Sequence, residues 1–290
     1  MPKLLRQRVV TALVMLLVLY AGTAWLSPTW YAGFLSLIML PALMEWAELM
    51  GLNRSRDKAL WILFVTTIVV PVLIMLVFPG AVPSAIGVAV VSALAIIFWF
   101  MVFLAISVYP AGQQYWEATW KLGAMGIVCL LPTWIGLFYL KVLDPTGMLV
   151  FILIGLVSIV DIGAYFSGRA WGNKKLALAL SPKKSWAGFW GGMASCAALA
   201  TLILWWVHTR YQPLSVDLWI LLLAAAMLMA VFSVVGDLFE SMLKRHRGVK
   251  DSGRLLPGHG GFLDRIDSLM AATPIYVLAL LVLSQGLAVL

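Results

Sequence analysis

Between Gly236 and Asp267 the chain reads GDLFESMLKRHRGVKDSGRLLPGHGGFLDRID, a charged island between two long apolar segments. It holds six of the twenty Lys and Arg residues, five of the twelve Asp and Glu residues and two of the three histidines. Carboxylate oxygens suit a hard cation, Lys and Arg offset the charge of phosphates, and glycines let backbone N–H groups close on an anion. Brought together at a membrane surface, these groups are the equipment of metal-assisted phosphate chemistry.

Within the island, Asp237, Glu240 and Lys244 recur at i, i+3 and i+7 and share one helix face, as a cation site requires; a salt-bridged helix end has the same spacing. Lys250-Asp251-Ser252-Gly253 follows, then Pro257-Gly258-His259-Gly260-Gly261-Phe262-Leu263-Asp264-Arg265-Ile266-Asp267. The glycines around His259 permit positive φ and the close approach of an anion. Asp264 and Asp267 stand one helical turn apart and can reach a hard cation such as Mg2+ through oxygen ligands. No Cys or second His stands at ligand spacing from His259, which argues against a transition-metal site. A phosphate contact and an ordinary hydrogen-bonded loop histidine are equally open for it.

Upstream, Asp161, Ala164, Tyr165 and Gly168 share another helix face, and small residues there let a second backbone or a ligand come close. The competing reading is a packing seam with one buried acid. The helix leads into a basic loop, Arg169, Lys174 and Lys175, then Ser181-Pro182-Lys183-Lys184-Ser185-Trp186-Ala187-Gly188. Topogenic charge that also attracts anionic headgroups explains this loop most simply. Against that, helix-initial N–H groups after Ser185 could join the lysines in holding a phosphate.

The elements that must position these groups are set by composition. Of 290 residues, 63% are hydrophobic and only 11% charged, where a soluble domain carries about 25% charged residues. Apolar runs of some twenty residues match a helix crossing the bilayer core, and the alternating segments of a membrane β-barrel are absent. The chain therefore reads as an all-α polytopic integral membrane protein. Nine spans are expected, at roughly 9–26, 30–50, 59–78, 83–108, 120–140, 147–166, 186–207, 216–240 and 269–289. Residues 1–145 form the N-terminal transmembrane helices, and 146–290 the C-terminal catalytic region with cytoplasmic loops 167–185 and 241–268. Cys129 and Cys196 both lie in apolar segments, which offers neither a disulfide framework nor a CxxC site. The N-terminus imitates a secretory signal peptide in form, but the charge distribution argues for its retention.

With the N-terminus in the cytoplasm, eighteen of the twenty Lys and Arg residues fall on inner segments and only Lys141 and Arg210 on outer ones. The positive-inside rule then fixes the orientation. These cations flank spans and build no separate domain, which argues against a nucleic-acid partner. The acids of the spans, Glu45, Glu48, Asp161, Asp237 and Glu240, all fall in the cytoplasmic halves of their helices, with Asp264 and Asp267 approaching from the same side. An ion conduit or a lipid flippase would place polar groups at the midplane, and a lipid-binding scaffold would not need the glycine-rich turn. One-sided clustering favours an enzyme joining a soluble substrate to a lipid.

Ser241, Lys244, Arg245, Lys250, Asp251, Gly253, Pro257, His259, Gly260, Gly261, Asp264, Arg265 and Asp267 resemble, in type and spacing and without departure, the C-terminal signature of the phosphatidate cytidylyltransferases, or CDP-diacylglycerol synthases. The Asp161–Gly168 and Ser181–Gly188 segments also look like motifs of that family. The resemblance implies transfer of a cytidylyl group from CTP to phosphatidic acid with Mg2+, at the cytoplasmic face of a bacterial inner membrane. A second, monovalent cation and a homodimer are left open, as is a related CTP-dependent enzyme acting on another lipid. On this reading Asp237 and Asp264 lead as metal ligands, with Asp161 and Asp267 supporting them. Lys250, Asp251, His259 and Arg265 join Asp237 and Asp264 as catalytic groups. Lys244, Arg245 and Lys250 meet the triphosphate, with Gly260 and Gly261 in the turn around it. Lys183, Lys184 and Ser185 hold the lipid phosphate, and Tyr165 lines the substrate site.

Overall fold

Three helix starts in this chain are marked by serines whose hydroxyls accept from backbone N–H groups that have no partner inside the helix. Ser84 accepts from Gly87, Ser185 from Gly188 and Ser215 from Leu218. The structure, a computed structural model, describes residues 3–77, 84–211, 213–253, 255–258 and 260–288. Its helices are α1 (Lys3–Trp25), α2 (Pro28–Leu49), α3 (Ser55–Val77), α4 (Ala85–Val108), α5 (Thr119–Leu143), α6 (Met148–Trp171), α7 (Trp186–Arg210), α8 (Val216–His246) and α9 (Leu263–Ala288). Among the described residues, seven helices are long and apolar enough to cross a membrane: α2, and α4 through α9. The apolar part of α1, Val9–Trp25, is shorter. The protein is an all-α polytopic membrane protein in its architecture.

Two features depart from the expected element boundaries. The segment 167–185 is mostly not loop: α6 runs on to Trp171, and a small antiparallel hairpin follows, β1 (Lys175–Ala177) with β2 (Ser181–Ser185), pairing Lys175 with Ser185 and Ala177 with Ser181. The segment 241–268 is likewise shorter as a connection, because α8 continues to His246 and α9 already starts at Leu263. Lys244, which hydropathy leaves in that connection, is paired. Lys244 meets Glu240 one turn below it and Asp264 in the first turn of α9.

Helix α8 is the hub. Its Phe239 packs edge-on to Trp99 of α4, with ring centroids 5.6 Å apart, and lies 6.4 Å from Trp46 of α2. Trp46 is fully buried and donates its indole N–H to the Leu122 carbonyl at 2.8 Å, which ties α2 to α5 beneath the site. At the opposite end of the bundle the buried Lys141 ammonium donates to the carbonyls of Thr23 and Pro145, joining the end of α1 to the α5–α6 connection. In the latter turn burial alone would raise the Asp144 carboxyl. The hydroxyl and N–H of Thr146, with the N–H groups of Leu149 and Met148, outweigh that and hold it below its ordinary value.

Close helix contacts depend on missing side chains. On α6, a Cβ at Gly163 would lie 2.2 Å from Ser195 Oγ and 2.8 Å from the Gly191 carbonyl of α7; on α7, one at Gly191 would lie 1.9 Å from Ser167 Oγ. Between α8 and α9, a Cβ at Gly236 would lie 2.3 Å from the backbone oxygen of Asp267. A main-chain oxygen inside a helix cannot turn away, so Gly236→Ala must separate α8 from α9. Overpacking of this kind costs about 1–3 kcal/mol. The variant is expected to melt several degrees lower in detergent and to lose turnover as Asp237 moves from Asp267. An unchanged melting temperature and rate would contradict this account.

Candidate active site

Where α8 ends and α9 begins, ionisable side chains from α6, α8, α9 and the hairpin form one connected group. Lys184, the penultimate residue of β2, places Nζ 2.7 Å from Asp237 Oδ2, both side chains partly exposed. Asp161 of α6 has Asp237, Lys184 and Arg265 as charged neighbours. Asp267 has Asp237 and Lys184 nearby, with Glu240 beside it. Lys244 extends the group, 2.8 Å from Glu240 Oε2 and 2.5 Å from Asp264 Oδ1. The Glu240 side chain is 1% exposed, and its Oε1 has no hydrogen-bond partner among the described residues.

The sequence-predicted residues divide by what they do here. Asp161, Asp237, Asp267, Lys184 and Arg265 come together around one site. Asp264 spends both oxygens internally, Oδ1 on Lys244 and Oδ2 accepting from Gly261 N at 2.8 Å and Ser252 N at 3.3 Å. Lys244 neutralises two acids, and Arg245 donates to the carbonyls of Leu180 and Val249, tying the hairpin tip and the start of the next loop to α8. Ser185 is buried in a socket formed by Gly168, Gly172 and Gly188, and its hydroxyl caps α7. Lys183, Lys250 and Asp251 are exposed, and Asp251 lies against Gly260. Tyr165 is exposed and its hydroxyl accepts from Arg169 at 3.2 Å. Gly260 takes φ +84°, which leaves room for the Asp264 carboxylate. His259 lies outside the described residues.

Among the described residues, no three acidic, His or Cys side chains stand as a ready-made metal cage. The donor chemistry nevertheless fits a hard divalent ion. Mg2+ is usually held by one or two carboxylates, the rest of its shell being water and substrate phosphate. Asp161, Asp237 and Asp267 bring carboxylate oxygens together beside Lys184 and Arg265, donors of the kind such an ion takes.

Residues 6–283 match the model of the cytidylyltransferase family. The chain belongs to that family. It is 37% identical over 273 residues to the phosphatidate cytidylyltransferase of Pseudomonas aeruginosa, covering 94% of this chain and 96% of the relative. It is 33% identical over 290 residues to that of Haemophilus influenzae, covering 94% and 97%, and 35% identical over 280 residues to that of Brucella suis, covering 94% and 92%.

One buried acid of this cytidylyltransferase was not legible as a site residue. Glu45 of α2 accepts from Ser252 Oγ, Phe262 N and Leu263 N, binding the glycine-rich loop from a position more than 200 residues away. A carboxylate inside an apolar run was the only signal, and local spacing names no partner for it.

Lys244 is the group whose loss the site tolerates least. Removing one partner of a buried pair leaves the other uncompensated and costs about 3–5 kcal/mol. Lys244→Ala is therefore expected to lower the melting temperature well below that of Lys183→Ala, which removes an exposed cation. Equal melting of the two variants would refute the assignment.

Proposed function

We propose that this family member transfers the cytidylyl group of CTP to phosphatidic acid, forming CDP-diacylglycerol and releasing pyrophosphate for phospholipid synthesis. The observation that carries the reading is the carboxylate–cation group around Asp237, set at the end of membrane-crossing helices in a chain that matches phosphatidate cytidylyltransferases over nearly its whole length. In this transfer a phosphate oxygen of the lipid attacks the α-phosphorus of CTP and the bond to pyrophosphate breaks. The nucleophile belongs to the substrate, so the protein's task is to position two anions and offset their repulsion.

Asp237, Asp161 and Asp267 are the residues that would hold Mg2+. When bound, the ion neutralises charge on the triphosphate as the pyrophosphate leaves. Lys184 stands at the start of α7, where the helix dipole also favours an anion, and with Lys183 it would receive the lipid phosphate. Arg265 and the exposed Lys250 would meet the triphosphate from the aqueous side. An apolar recess of about 530 Å3 supports arrival of the other substrate from the bilayer. It lies beside the hairpin and is lined by Phe103, Ile106, Leu180, Trp186, Phe189 and Leu238, among others.

We also propose nine crossings with a cytoplasmic N-terminus and the site on the cytoplasmic face of a bacterial inner membrane. The eighteen-to-two charge asymmetry supports this. So do contacts at the site end, where Thr11 of α1 donates to the Pro257 carbonyl, Arg247 lies against Gly51, and Gln113 hydrogen-bonds His246. These bring the N-terminal part of α1 and three connections expected on the inner side to one end of the bundle. Cysteines at positions 250 and 210, introduced as Lys250→Cys and Arg210→Cys, are expected to label from opposite sides. The native Cys129 and Cys196 are buried and should give little background. Labelling of both introduced cysteines from one side would exclude the topology.

For the reaction, purified protein is expected to release pyrophosphate only when CTP, phosphatidic acid and Mg2+ are all present. Asp237→Asn is expected to lower kcat by about a hundredfold or more, the scale of losing one preorganised electrostatic group, while remaining folded in the membrane. Turnover of a different lipid phosphate in place of phosphatidic acid would overturn the substrate assignment. Normal turnover by Asp237→Asn would overturn the site.

A further inference from the structure

The first N–H groups of a helix have no intrahelical partner and are normally capped by the residue just before it. Helix α9 is held differently. Its opening N–H groups, those of Phe262 and Leu263, donate to Glu45 of α2, at 2.8 Å to Oε1 and 2.7 Å to Oε2. Ser252 Oγ adds a third bond to Oε2 at 3.0 Å, from the other side of the loop. Glu45 is only 6% exposed. The carboxylate thus receives three donors at once, two from the start of α9 and one from the loop that follows α8.

The glycines of the loop are shaped around this carboxylate. A Cβ at Gly253 would stand 2.3 Å from Glu45 Oε1, and one at Gly261 would stand 2.7 Å from Oε2 and 1.9 Å from Ser252 Oγ. Neither residue has positive φ, unlike Gly258 and Gly260. What Gly253 and Gly261 supply is therefore space for an acid carried on α2. Ser252 and Gly261 are also the residues whose N–H groups hold Asp264 Oδ2. One loop is clamped between two carboxylates, Glu45 from α2 and Asp264 from α9.

We infer that Glu45 is a positioning residue for the transfer reaction: by clamping the loop to the start of α9 it fixes Lys250 and Asp251 relative to Asp264, Arg265 and Asp267. The inference rests on the proposed function for its kinetic consequence. All three partners donate, so both oxygens must accept. Glu45→Gln preserves size but turns an NH2 group toward an N–H donor, which loosens the clamp without emptying the space. Glu45→Ala removes it.

The test measures hydrogen exchange at the amides of residues 261–263 alongside steady-state kinetics with CTP and phosphatidic acid. Glu48→Gln, which alters the exposed pair of Glu48 with Lys58, serves as control. In Glu45→Gln these amides are expected to exchange about tenfold faster or more, with protection in the middle of α8 unchanged. The kcat should fall about ten- to a hundredfold, the scale of a misplacement near 1 Å, while the melting temperature stays within a few degrees of the Glu48→Gln value. Lower kcat with unaltered exchange at 261–263, or faster exchange with unaltered kcat, would overturn the positioning role. A fall only in the folded fraction, at unchanged kcat per folded molecule, would also overturn it. If Glu45→Ala does not fold, Glu45→Gln still decides the question. If the parent protein lacks this activity, the function reading fails while the exchange measurement still tests the clamp.

Discussion

Charge buried at the end of a membrane helix must be paired, and the Lys244 contacts with Glu240 and Asp264 are where this chain meets that requirement. Glu240 lies deep enough in α8 to be almost inaccessible, where an unpaired carboxylate would be strongly disfavoured. The ammonium of Lys244, one turn further on, lets α8 continue past the apolar segment to His246. Because the same ammonium reaches Asp264, the last turn of α8 is fixed to the first turn of α9. The connection from 247 to 262 is thereby closed at both ends, and its glycines and charged residues have a restricted space in which to lie.

Electrostatic pairing works at this distance only because backbones approach closely. Gly236 brings α8 against the Asp267 carbonyl, which sets Asp237 next to Asp267. The glycines of α6 and α7 do the same on the other side, carrying Asp161 toward the hairpin that holds Lys184. The face shared by Asp161, Ala164, Tyr165 and Gly168 was open to two readings, a packing seam or a functional surface. In the structure Gly168 packs on Ser185, while Asp161 lies with the acids around Asp237 and Tyr165 stays exposed.

Much of this was legible in the sequence because it depends on local periodicity. Among the described residues each expected apolar segment falls on a helix, seven of them long and apolar enough to cross a membrane, and the spacing of Asp264 with Asp267 placed both on one helix face. The helix ends were less legible. Hydropathy leaves Lys244 and Asp264 in the connection; the helical spacing of Lys244 with Glu240 was readable, but its pair with Asp264 joins two elements and was not. The hairpin was hidden for a similar reason: Ser181–Ser185 is polar and short, and its pairing with Lys175–Ala177 is fixed by the ends of α6 and α7 more than by β-propensity. Ser185 shows the limit of motif reading. Its place before a helix put it with the lysines as a phosphate contact, whereas the structure buries it among three glycines and has it cap α7. Glu45 was legible only as one of the cytoplasmic-side acids of the spans; its partners were not, because hydrogen bonds spanning more than 200 residues leave no local spacing.

These pieces have a common chemical logic. Transfer between two phosphates asks the protein for no nucleophile of its own, so rate depends on how well the surrounding charges are preorganised. Preorganisation requires that the groups be held by something other than the substrate. Asp264, Lys244 and Arg245 lie in conspicuous motif positions, yet their side chains are committed to the protein's own loops and helix ends. Asp237 and Lys184, by contrast, form a partly exposed pair, and in the proposed reaction it is there that a cation and an anion would enter. The motif therefore combines a rigid frame with a small exchangeable centre. Its length reflects the frame more than the number of groups that need to touch substrate.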